Sequence, residues 1–121
     1  MKCDMDLVRH ILLEIENQNF GYAPTNFTID SYTHEQIYYH AYIMIQGGLI
    51  EGTVCIDLDS TSPQAIPKNL TLAGHEFLKV ARDDTLWKKA KDIVTEKGGA
   101  ITVAVLSQLL SSLMKSHFGL T

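Results

Sequence analysis

The chain has 121 residues, of which 45% are hydrophobic and 20% charged, with a formal net charge of -4. Such a composition is that of one globular domain long enough to bury its own core. No window approaches the roughly 18 consecutive apolar residues of a membrane span, and the acids in MKCDMDLVRH occupy the place of a signal's apolar core. The expectation is a single domain over residues 1–121, cytoplasmic, with no membrane partner. Cys3 and Cys55 are too few for a zinc cluster and are expected to stay as free thiols.

The net charge hides an asymmetry. Residues 1–78 hold three basic against ten acidic residues, whereas residues 79–121 hold seven basic against four acidic. Affinity for nucleic acid rests largely on Lys and Arg displacing counterions from phosphates, so an acidic first part works against DNA binding there.

In chain order, Asp4 is a candidate N-cap, with Asp6 in the first turn near the positive end of the helix dipole. Leu7, Val8, Ile11, Leu12 and Ile15 follow at helical spacing, which predicts a helix over about Asp4–Asn17 with Arg9, Glu14 and Glu16 on its solvated side. Asn17 to Thr33 is rich in Asn, Gly, Pro and Thr, and Pro24 cannot sit inside a helix. Phe27, Ile29 and Tyr32 alternate with polar residues there, so a short strand or extended loop is expected.

Thr33 with Gln36 makes a capping-box pattern at the head of a central helix that Gly47 or Gly48 ends. Ile37, Ala41, Met44 and Ile45 fall on one side of it, and Glu35, Tyr39, Tyr42 and Gln46 on the other. Leu49–Asp57 and Ala65–Thr71, separated by DLDSTSP, read as the two antiparallel strands of a wing. Thr71 caps a helix of roughly Leu72–Arg82 with Ala73, Phe77 and Ala81 inward, although Gly74 costs such a helix about 1 kcal/mol against Ala. Asp83 or Asp84 opens another helix, which carries Trp87 and a lysine-rich outer face and ends at Gly98-Gly99. Thr102 caps the last helix, whose apolar set of Val103, Leu106, Leu109, Leu110, Leu113 and Met114 is wider than a surface helix needs. Leu106, Leu109, Leu110, Leu113 and Met114 are therefore expected at a homodimer interface.

Chemical motifs are fragmentary. His75-Glu76 starts a zincin pattern but meets Lys79 where the second histidine belongs, and His34-Glu35 meets Tyr38. Ser112 to Lys115 spells S-x-x-K on an apolar helix with no supporting motif, and the paired glycines make no phosphate loop. No metal, cofactor or catalytic role is expected.

MDLVRHILLEIE, then YTHEQIYYHAYIMIQGGLIEG, then LTLAGHEFLKVARDDTLWKKAKDIVTEKGG resembles a bacterial and prophage family catalogued as domain of unknown function 2513. The phrases around Gly48-Leu49-Ile50 and Gly74-His75-Glu76-Phe77-Leu78 are the most specific parts of that likeness. It carries over no catalytic or binding residue. A looser resemblance is to winged-helix repressors of the ArsR and MarR kinds, whose "Leu-Thr-x-x-Gly" phrase after the wing matches Leu70 to Gly74. Such repressors offer Ser, Arg, Lys, Gln or Asn to the DNA groove, where this chain has Glu35, Tyr39 and Tyr42.

The expected fold is thus α+β, a winged helix-turn-helix-like core over residues 1–82 (helix, short strand, helix, two-stranded wing, helix) followed by two C-terminal helices over residues 83–121. Two functions from different classes fit it. One is a regulator of a mobile element that binds double-stranded DNA through the helix after Thr33 and the loop near Ser60. The other is a non-catalytic module that binds an unidentified protein on the same scaffold. In either case Gln36, Tyr39, Tyr42, Gln46 and Lys68 are the expected contact residues.

Overall fold

The computed structural model describes residues 1–55 and 62–119. In order these form α1 (Met5–Glu16), α2 (His34–Gln46), β1 (Ile50–Cys55), β2 (Gln64–Leu70), α3 (Leu72–Ala81), α4 (Asp84–Glu96) and α5 (Val103–His117). Among the described residues, five helices and one antiparallel two-stranded sheet make an α+β arrangement with a winged-helix-like layout. The expected loop near Ser60 lies outside the described residues. No helix among them is long and apolar enough to cross a membrane.

α1 starts where its cap demands, with the Leu7 N–H donating to Asp4 Oδ1 at 3.2 Å. Leu7, Val8, Ile11, Leu12 and Ile15 are completely buried. Each such side chain contributes about 1.5–3 kcal/mol relative to exposure, which makes α1 the spine of the core. Its polar side is also engaged. Asp6 accepts from Trp87 Nε1 at 3.0 Å and from Lys91 Nζ at 2.9 Å. Arg9 pairs with Asp84 at 2.6 Å and lies 5.6 Å from the centroid of the Trp87 ring. Glu16 accepts from Arg82. Arg9 and Glu16 therefore tie α1 to α4 and to the end of α3 rather than solvating it.

Of the short strand or extended loop expected between the first two helices, Phe27–Tyr32 form the loop. Phe27 is 1% exposed and plugs the core with one side chain, at the point in the chain where a helix-turn-helix would carry a whole helix. The sheet is met earlier, by Tyr22, which bridges Asn69, and by the Ala23 N–H, which donates to the Lys68 carbonyl at 2.7 Å. A loop suffices because its backbone groups find partners along the free edge of β2.

Both halves of the α2 capping box are present, Gln36 N–H to Thr33 Oγ1 at 3.1 Å and Thr33 N–H to Gln36 Oε1 at 2.8 Å. Gly48, at φ +78, then turns the chain into β1. β1 and β2 pair from Ile50 opposite Leu70 to Cys55 opposite Gln64, with an irregularity at Glu51/Gly52. Pro67 stands opposite Gly52, at that irregularity, where a residue without an N–H does least harm to the ladder.

The passage from β2 into α3 locks the α2–β1 turn. Thr71 caps α3 through the Gly74 N–H at 3.1 Å, donates its hydroxyl to the Gly48 carbonyl at 2.5 Å, and donates its own N–H to the Leu49 carbonyl at 3.0 Å. A Cβ on Gly74 would lie 2.1 Å from that same Leu49 oxygen, so only glycine allows this approach. The inward place expected for Ala73 belongs to Gly74, and Ala73 is exposed; Phe77 and Ala81 are buried as expected. Asp83 and Thr102 cap α4 and α5. α5 then packs on α3 and α4 with Val103, Leu106, Leu110 and Leu113 buried.

Candidate functional site

Three concave regions surround α2 and α5, and together they hold or border most of the residues singled out in the sequence. The first lies on the outward side of α2. From Gln36 to Ile45 none of its residues is exposed, and no residue of α2 is Lys or Arg. Tyr39 stands edge-on to His40 with ring centroids 5.7 Å apart, and the Tyr42 hydroxyl accepts from Gln46 Nε2 at 3.0 Å. Tyr39, Ile43 and Gln46 form one wall of a cleft of about 400 Å³, with Met1 and Cys3 at one end and Ile101 to Ala104 opposite. The head of α5 therefore shares a cleft with part of the outward side of α2.

The five expected contact residues do not make one surface. Tyr39 and Gln46 share this cleft, and the Gln46–Tyr42 hydrogen bond places Tyr42 beside it. Gln36 spends its amide oxygen on the cap of α2. Lys68 lies apart on β2, beside Phe20, Tyr22, Glu51 and Asn69.

The second region, a depression of about 380 Å³, is lined by Cys3, Asp4, Tyr32, Gln36 and His40. His40 is 2% exposed. Its Nε2 accepts the Asp4 N–H at 2.9 Å, and its Nδ1 lies 2.8 Å from the Gln36 carbonyl. One tautomer satisfies both contacts: neutral imidazole with the proton on Nδ1. Burial pushes the His40 pKa below its ordinary value, against the Gln36 carbonyl and the Asp4 carboxylate, which favour the charged form. Asp4 Oδ2 accepts the Tyr32 hydroxyl at 3.0 Å. Burial first, then Asp4, pushes Tyr32 up to about 12 and Cys3 up to about 11. Phenol and thiol are thus both held protonated near neutral pH, so the cluster offers no activated nucleophile. It works as a bolt between the caps of α1 and α2. Helical spacing carried a signal for it, because His40 lies on the buried stripe of Ile37, Ala41 and Met44.

The third region is a groove of about 400 Å³ between α3 and α5. Phe77, Val80, Leu110 and Met114 make its apolar lining, with Lys79 and Lys115 on its rim. Ser107 lines it too, and its hydroxyl is shielded from solvent without a hydrogen-bond partner. The expected dimer residues divide here. Leu106, Leu110 and Leu113 are buried within the chain's own core, which accounts for the width of the apolar face on α5, while Leu109 and Met114 remain half-buried. Among the described residues no three His, Cys, Asp or Glu side chains are grouped as a metal site needs.

The family model described as "Hypothetical protein (DUF2513)" matches residues 2–100. The chain belongs to that family. An uncharacterized protein of Haemophilus influenzae (strain ATCC 51907 / DSM 11121 / KW20 / Rd) is 31% identical over 118 residues, covering 94% of this chain and 96% of the relative. No solved structure matches. The DUF2513 match spans α1 to α4 and the β hairpin, and so includes Asp4, Tyr32, His40 and the Thr71–Gly74 lock. α5 lies beyond it, and the alignment with the Haemophilus protein extends into that helix.

Proposed function

We propose that this DUF2513 protein is a non-catalytic protein-interaction module on a winged-helix-like scaffold, with α2 serving as an interior strut rather than a reading helix. One observation carries the reading: α2 exposes no residue between Gln36 and Ile45 and bears neither Lys nor Arg. A helix that reads DNA must enter the major groove with several side chains free to reach base edges and with cations against phosphate. Here Tyr39 lines a cleft shared with Ile101 to Ala104 instead.

The DNA-binding reading, a regulator of a mobile element, draws support from the winged-helix-like order of elements and from the exposed Lys68, Lys88 and Lys89. Fluorescence anisotropy of a labelled random duplex at low salt separates the two. Nonspecific binding has a Kd of about 10⁻⁴ to 10⁻⁶ M at physiological salt and tightens as salt falls, so a flat titration to about 100 µM protein is the expected result. A saturable rise that weakens with salt refutes the interaction-module reading.

A further inference from the structure

We infer that the groove between α3 and α5 receives an acidic amphipathic helix from a partner protein, an assignment that rests on the interaction-module reading. Its floor is apolar, with Phe77, Val80 and Leu110 buried along it and Met114 half-exposed. Methionine at such a place adapts its shape to an incoming side chain. Both walls are helices, so an extended peptide would find no strand edge to pair with, whereas a helix brings its own backbone hydrogen bonds and lays an apolar stripe into the groove.

Charge selects the partner's sign. Lys79 and Lys115 stand exposed on the rim against the single acid Glu76, and among the described residues neither lysine has an ion pair. By contrast, Arg9 holds Asp84, Arg82 holds Glu16 and Lys91 holds Asp6. A second copy docking by a two-fold axis would face this rim with the same excess of positive charge, so self-association here lacks the complementarity that acidic flanks supply.

The test uses the full chain and a designed capped peptide with Leu at i, i+3, i+4 and i+7 and Glu on both flanks, beside a counterpart with Lys for each Glu. Methyl NMR titration is expected to shift Val80, Leu110 and Met114, with the Glu peptide binding about tenfold more tightly than the Lys peptide. The Lys79→Glu/Lys115→Glu variant is expected to stay folded, with a slightly lowered melting temperature because both lysines sit in the last turns of their helices, and to reverse the preference. Equal binding of the two peptides, shifts confined to the Tyr39 cleft, or no shift with either overturns the assignment. A light-scattering mass of twice 13.5 kDa with these methyls already shielded overturns it in favour of a second copy. None of these failures produces duplex binding, so they remain distinct from failure of the interaction-module reading.

Discussion

Replacing Gly74 with alanine probes the junction that joins α2, the hairpin and α3. In a helix the change alone would gain at most about 1 kcal/mol from propensity. The added Cβ, however, would lie 2.1 Å from the Leu49 carbonyl oxygen. Relief to a carbon–oxygen contact of about 3.3 Å moves α3 away by about 1 Å. That retreat breaks the 3.0 Å bond from Thr71 N–H to the Leu49 carbonyl and the 2.5 Å bond from the Thr71 hydroxyl to the Gly48 carbonyl. Loss of the bond to the buried Leu49 carbonyl costs about 1–3 kcal/mol and loss of the exposed bond to Gly48 about 0.5–1.5 kcal/mol, so Gly74→Ala should destabilise by about 1–4 kcal/mol after the propensity gain. Gly48→Ala is the control: at φ +78 with nothing near its Cβ it meets only backbone strain, about 1–2 kcal/mol. Urea unfolding followed through the fluorescence of Trp87, the single tryptophan and 3% exposed, reads both. The expected order of midpoints is wild type, then Gly48→Ala, then Gly74→Ala, with m unchanged. A Gly74→Ala midpoint at or above that of Gly48→Ala refutes the lock.

His40 predicts the pH response. Its folded pKa is depressed, so the unfolded chain binds more protons; stability is full above the unfolded value near 6.5 and declines as pH falls toward the folded value. The slope from this one group cannot exceed about 1.4 kcal/mol per pH unit, and His40→Gln should flatten it between about pH 7.5 and pH 5 while costing about 1–3 kcal/mol at the upper end; unchanged slopes in paired melts would remove His40 as the cause. Asp6 is also depressed, because Lys91 and Trp87 outweigh its burial, so its contribution is lost only in more acid solution. Ser107→Ala removes a shielded hydroxyl that has no partner, and should raise stability by up to about 1 kcal/mol in urea melts. A loss of that size would mean that the hydroxyl has a partner after all.

Much of the fold was legible because its signals are local. Asp4, Thr33, Thr71 and Thr102 each cap the helix that their position announced, and the stripe on α1 is buried to the last residue. What local pattern could not carry is who covers whom. Tyr39 of α2 lines one cleft with residues 101 to 104, more than fifty positions away, and Arg9 finds Asp84 across a comparable gap. Gly74 read as a weak point of α3 because its value lies in the Leu49 carbonyl, on another element. Phe27 was legible as apolar, yet periodicity could not decide between a short strand and an extended loop, nor show that this one side chain would be buried in the core.

α2 as an interior strut is tested most directly by native-state amide hydrogen exchange. Its amides from His40 to Met44 should exchange only through global unfolding, with protection equal to the slowest amides of α1 and unchanged by added duplex DNA. Fast, local exchange along α2, or protection that appears only when duplex is added, would show instead a helix held free to read.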